Sequence, residues 1–129
     1  MKQHIGLIAI VVEDYDEAIE FYTSKLHFTL IEDTKMSDTK RWVVVRPPGS
    51  NNCSLLLAKA SSEEQVSRIG NQTGGRVFLF LYTDSIDRDL KNLEEKKIQI
   101  IRQPTNESWG KAAVLADLYG NLWDLIELY

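Results

Sequence analysis

The sequence has a single cysteine, Cys53, so no intrachain disulfide can form and the fold must rest on burial of apolar side chains. A reducing cytoplasm is the compartment this implies. No apolar run approaches the roughly 20 residues needed to span a bilayer. The opening residues, Met1, Lys2, Gln3 and His4, lack the apolar core of a signal peptide. Lysine and arginine form no run, and the formal net charge is -4, so neither nucleic acid nor a membrane is an expected partner. The only Gly-Gly pair, Gly74-Gly75, lacks phosphate-loop spacing, which removes a nucleotide site of that kind.

What is present is a repeat. Ile5 to Val12 reads as a buried strand, and Asp14 follows as a helix N-cap with Glu17 three positions on. Tyr15, Ala18, Ile19, Tyr22 and Leu26 then recur at helical spacing. Thr29 to Glu32 is a predicted strand and Asp33 to Lys40 a turn. Trp42 to Val45 and Ser54 to Ala58 are further strands, separated by Pro47, Pro48 and Gly49. The order then recurs. Arg76 to Tyr82 is a strand, and Asp84 caps a helix whose inner stripe is Ile86, Leu90 and Leu93. Strands follow at Ile98 to Ile101, Ala112 to Leu115 and Leu122 to Leu128, the last two joined by an Asp117-to-Asn121 turn. Asp14 and Asp84 stand about 70 residues apart, as do Gly49 and Gly120.

The expected fold class is therefore α+β: two βαβββ modules forming a curved mixed β-sheet with helices on one face. The boundaries are 4–58 and 76–129, with a linker at 59–75 in which Ser62 to Ile69 forms a short helix, all within one domain of 1–129. A sheet covered by helices on one side needs something on the other: the second half, a partner chain or a ligand.

Two segments carry a family resemblance. Val12-Glu13-Asp14-Tyr15-Asp16-Glu17-Ala18-Ile19-Glu20-Phe21-Tyr22 resembles the first helix of the glyoxalase/bleomycin-resistance/extradiol-dioxygenase (vicinal oxygen chelate) superfamily, and Asp117-Leu118-Tyr119-Gly120-Asn121 with its following strand resembles the closing turn. Arg41 to Val45 and Gly70 to Arg76 look like a bacterial branch called glyoxalase-like. The resemblance implies a small-molecule ligand and a homodimer. It also implies, in metal-using members, a divalent ion held by His, Glu or Gln on the first and last strand of each half.

Carried over residue by residue, those positions fall on Leu7, Leu56, Arg76 and Asp124. Two aliphatic chains, a guanidinium without a lone pair and one carboxylate make a poor ligand set, so no cofactor is expected. A divalent metal bound through displaced ligands is the alternative. His4 would face away by strand alternation, and His27 reads as a charge at a helix end.

The expectation is a metal-free binding protein of the bleomycin-resistance kind, with Arg76 and Asp124 paired and Arg76 offering a donor fork to an anionic group. The competing reading is a lyase, isomerase or dioxygenase using acid–base residues such as Glu107 and Asp124. Further candidates for ligand contact are Arg41 or its neighbour Trp42, Gln72 in the glycine-rich linker, and Trp109 in a loop from Thr105 to Gly110. Cys53 reads as inert.

Overall fold

Strand alternation and three capped helices account for most of the chain. The computed structural model describes residues 1–129, which divide into two compact units, Met1–Ile69 and Gly70–Tyr129.

The first unit opens with β1 (Leu7–Val12), in which Ile10 and Val12 are fully buried while Leu7 and Ala9 are exposed, so successive side chains face core and open side in turn. Asp14 is extended, and its carboxylate accepts the Glu17 amide at 2.9 Å, which starts α1 (Tyr15–Glu20) as the sequence predicts. The helix widens into a π-helical turn over Phe21–Lys25. There Tyr22 is fully buried, edge-on to Phe21 at 5.2 Å and tilted against Phe28 at 5.5 Å. His27 adopts φ 62 and reverses the chain, and the Phe28 amide donates back to the Tyr22 carbonyl at 2.8 Å.

Strands β2 (Thr29–Lys35), β3 (Arg41–Arg46) and β4 (Ser54–Lys59) complete a sheet of order β1-β4-β3-β2, parallel between β1 and β4 and antiparallel elsewhere. Strand β2 outruns its predicted end at Glu32, because Asp33, Thr34 and Lys35 pair with Val43, Trp42 and Arg41. As an edge strand exposed along its whole length, it shows no burial alternation from which to read an end. A short α2 (Glu63–Ser67) follows, capped by the Ser62 hydroxyl, which accepts the Gln65 amide at 3.2 Å.

The second unit repeats the order: β5 (Leu79–Tyr82), α3 (Ile86–Glu95), β6 (Ile100–Glu107), β7 (Gly110–Ala116) and β8 (Leu122–Leu128), with sheet order β5-β8-β7-β6. The α+β class with two βαβββ modules is thus observed, as two four-stranded mixed sheets.

Three local expectations are corrected in this unit. The α3 cap is Ser85, whose hydroxyl accepts the Arg88 amide at 3.3 Å; Asp84 instead accepts from the Arg88 guanidinium at 2.8 Å. Strand β6 continues through Pro104, because it lies at the sheet edge, where a missing backbone donor is tolerated. Thr105 to Gly110 is therefore not a loop: only Ser108 and Trp109 form the turn between β6 and β7. Gly110 belongs there because a Cβ would meet the Glu127 carbonyl oxygen at 2.1 Å. Helix α3 ends as the first unit's does: Lys97 takes φ 58 and the Ile98 amide donates to the Leu93 carbonyl at 2.8 Å.

Candidate functional site

The helices cover one face of each sheet, and the ladders state which residues share the other. In the first unit Ala9, Leu56 and Val44 sit side by side across β1, β4 and β3, and Leu7 stands beside Ser54, two residues back along the strand. Leu7 and Leu56 therefore share the open face as diagonal neighbours, and the residue abreast of Leu56 is Ala9. The surface is aliphatic, with Leu7 39% exposed.

Arg41 belongs to the opposite face. Its guanidinium grips Asp33 through two bonds, of 3.0 Å and 2.7 Å, binds Asp16 at 2.9 Å, and lies 5.2 Å from the centre of the Tyr15 ring. These bonds hold the Asp33 carboxyl below its ordinary pKa and push the Arg41 guanidinium well above its own. Trp42, one residue on, is the side chain of the pair that shares the open face with Val44 and Leu56.

In the second unit Phe80, Asp124 and Val114 stand abreast across β5, β8 and β7. The sequence pairing of Arg76 with Asp124 is not formed. The Phe78 amide donates to the Leu122 carbonyl at 2.8 Å, which sets the register that puts Phe80 beside Asp124. Arg76 precedes β5 by three residues and is exposed. It lines a small cleft of about 100 Å³ with Gln72, Gly75, Gly120 and Asn121, so the structure unites Arg76 with Gln72 instead.

The floor of that cleft is a rigid turn. The Asp117 carboxylate accepts the Tyr119 and Asn121 amides at 2.9 Å each and the Asn121 side-chain amide at 2.8 Å. Asp117 and Asn121 are both buried, and the Asn121 Oδ1 has no hydrogen-bond partner.

Glu107 and Asp124 do not converge. Glu107 pairs with Gly110, and Gly110 with Leu128, four residues from Asp124 along β8 and so roughly 13 Å away at about 3.4 Å per residue. Trp109 is 46% exposed in the hairpin turn, where its carbonyl accepts the Tyr129 amide at 3.1 Å. The open face adds exposed aromatic area at Phe80 and Tyr82, 58% and 62% exposed, beside buried Ile126.

Sequence reasoning missed Ala9 and Phe80. Counting the parallel register back from Asp124 finds Phe80 only once the β5–β8 ladder is known, and the apolar run Val77 to Tyr82 carries no mark of which residue pairs. As for metal chemistry, the positions the resemblance implies fall on Leu7, Leu56, Arg76 and Asp124, and the residues abreast of Leu56 and Asp124, Ala9 and Phe80, add no donor atom. No group of three His, Cys, Asp or Glu side chains in the structure is arranged to hold a metal ion.

Two βαβββ units in succession, each a four-stranded mixed sheet with its helices on one face, define the class of fold. Residues 4–125 match the Glyoxalase/Bleomycin resistance protein/Dioxygenase superfamily, and the chain belongs to it.

A protein of Shewanella frigidimarina is 59% identical over 129 residues, covering 99% of this chain and 96% of its own. YurT of Bacillus subtilis is 30% identical over 126 residues, covering 95% and 98%. Among solved structures, TnmS3, an antibiotic binding protein from Streptomyces sp. CB03234, superposes with a TM-score of 0.79 at 28% identity over 99% of this chain and 98% of its own. UcmS2 shares the fold at a TM-score of 0.85 and 24% identity, covering 98% of each chain. No helix is long and apolar enough to cross a membrane.

Proposed function

We propose that this protein binds a small organic molecule, of the kind sequestered by antibiotic-binding members of its superfamily, against the open faces of its sheets and without a metal ion. The observation that carries the reading is that Ala9 stands abreast of Leu56 and Phe80 abreast of Asp124, so that neither adds a donor atom beside the positions the resemblance assigns to metal ligands. In the first unit an alkyl and a methyl group offer no ligand atom, and in the second one carboxylate beside a phenyl ring does not hold a divalent ion against water, whereas each surface suits an apolar ligand body. The 28% identity with an antibiotic binding protein along the whole chain supports the same reading.

Leu7, Leu56 and Trp42 supply apolar contact in the first unit, and Phe80, Tyr82 and Asp124 supply aromatic contact with one polar anchor in the second. Arg76 and Gln72 are proposed to hold a polar substituent, with Trp109 a peripheral stacking surface. Arg41, engaged by two carboxylates, supports the sheet from its helix side rather than meeting ligand. Exposed Phe80 and Tyr82 favour a homodimer in which a second copy covers part of this apolar area. The lone thiol of Cys53 suits a reducing cytoplasm. The distance between Glu107 and Asp124 disfavours an acid–base pair built from them.

The test is a thermal-shift panel of aromatic and polycyclic compounds run with and without a strong chelator. A binder at a hundred times its Kd should add about 2.7 kcal/mol of stability, undiminished by chelator. Shifts that vanish on chelation, or return only with added Zn, Ni, Mn or Fe, would favour a metal-dependent enzyme of the superfamily instead.

A further inference from the structure

The ladders of the first sheet do not end together. The β1–β4 pairing runs to Val12 and Lys59, and the β2–β3 pairing runs out to Lys35 and Arg41, yet the β3–β4 pairing stops at Val43 and Leu57. Beyond that point the two central strands part, Arg41 and Trp42 going one way and Ala58 and Lys59 the other. The fork opens a cleft of about 550 Å³, within the range of about 300–1,000 Å³ typical of small-molecule sites.

The lining has a consistent chemistry. Trp42, Leu56 and Ala58 provide an apolar wall. The Tyr15 hydroxyl stands where a strand partner is missing, accepting the Arg41 amide at 3.2 Å, so its own O–H proton remains available to a ligand. Gln65 is held in one amide orientation because its Oε1 accepts both the Ser61 amide at 2.8 Å and the Ser61 hydroxyl at 3.0 Å, which leaves its NH2 as a donor at the rim.

The cations without a carboxylate partner indicate the ligand. Around the mouth, Asp33 and Asp16 share the single guanidinium of Arg41, and Asp38 pairs with Lys35 at 3.5 Å. The Asp14 carboxylate is turned to the helix amide it caps. Lys40 and Lys59 line the cleft and make no ion pair, so within a mouth of balanced charge these two ammonium groups are free to meet an anion.

We propose that this fork is the anchoring point for an anionic ligand with a flat apolar body: the body lies against Trp42, Leu56 and Ala58, and the carboxylate or equivalent anion is held by Lys40 and Lys59 with the Tyr15 hydroxyl and the Gln65 amide. The proposal rests on the binding-protein reading above and narrows it to a ligand class and an end of the sheet.

The probes are 2-naphthoate and its neutral counterpart 2-naphthamide, titrated by calorimetry and by Trp42 fluorescence, with Trp42→Phe as the optical control. The naphthoate should bind at least tenfold tighter than the amide and lose that advantage in 0.5 M salt and in the K40A/K59A double variant, which removes only exposed side chains. Tyr15→Phe should weaken the naphthoate severalfold while leaving the amide unaffected. Equal affinity for acid and amide, a preference that survives K40A/K59A, or no saturable binding of either overturns the proposal. The first two results leave the binding-protein reading standing; that reading falls separately, through the chelator arm of the compound panel.

Discussion

The two units follow one chain order but are held together differently. The first leans on aromatic packing: α1 widens into a π-helical turn that drives Tyr22 into full burial between Phe21 and Phe28. The second has a regular ten-residue α3, a closing turn wired by one buried carboxylate, and a glycine pressed against the neighbouring strand. Their open faces differ as well, aliphatic apart from Trp42 in the first, and carrying Phe80, Tyr82 and the Asp124 carboxylate in the second. Duplication preserved the backbone path, down to a left-handed residue at each helix end (His27 and Lys97, 70 positions apart), and left the side chains free to diverge. The backbone path is therefore what the fold demands, and the side chains on the open faces are where the two units part and where the proposed ligand would be selected.

The contrast breaks most sharply at its two anchors. Tyr22→Ala should cost about 4 kcal/mol, as removal of a fully buried aromatic ring does, and more than Leu93→Ala in the counterpart helix; urea melts of both variants compare them. Gly110→Ala should cost about 3 kcal/mol, since its Cβ has nowhere to go, against about 1 kcal/mol for Gly49→Ala, where φ is +75 but nothing lies within 4 Å.

Smaller effects sharpen the picture. Asp33→Asn should lower stability by about 1 kcal/mol at pH 7, because the bidentate Arg41–Asp33 pair is partly exposed and screened. The folded state lowers the Asp33 pKa from 3.8, so this contribution is present above that value and fades as the pH falls through the lower folded value. Wild-type and variant melting curves should thus converge once the pH lies below the lowered folded-state value. Smallest, Lys97→Gly should raise Tm slightly, by about 0.5 kcal/mol in stability, through relief of a left-handed backbone at a helix end.

Much of the fold could be read from the sequence because its signals are local. Asp14 capping, the Ser62–Ile69 helix, the Asp117–Asn121 turn and the Leu122–Leu128 strand each announce themselves within a few residues. The site was less legible because ladder bonds decide it. Arg76 follows a conspicuous Gly-Gly pair, and yet the bond from Phe78 to Leu122 moves the residue abreast of Asp124 four places on. Arg41 and Trp42 alternate, and which one faces outward follows from the Asp16 and Asp33 carboxylates gathered on the helix side. The fork between β3 and β4 leaves no compositional trace, since Trp42 and Ala58 are ordinary strand residues whose separation shows only in the ladders.

The proposal that this member of the superfamily works without a metal rests on Leu7, Leu56 and Arg76 standing at positions the resemblance assigns to metal ligands, and on Ala9 and Phe80, abreast of Leu56 and Asp124, adding no donor atom. Elemental analysis of native protein, purified with neither added metal nor chelator, tests it most directly. Zn, Ni, Mn and Fe should each be far below one atom per chain; any of them approaching one per chain would contradict the account.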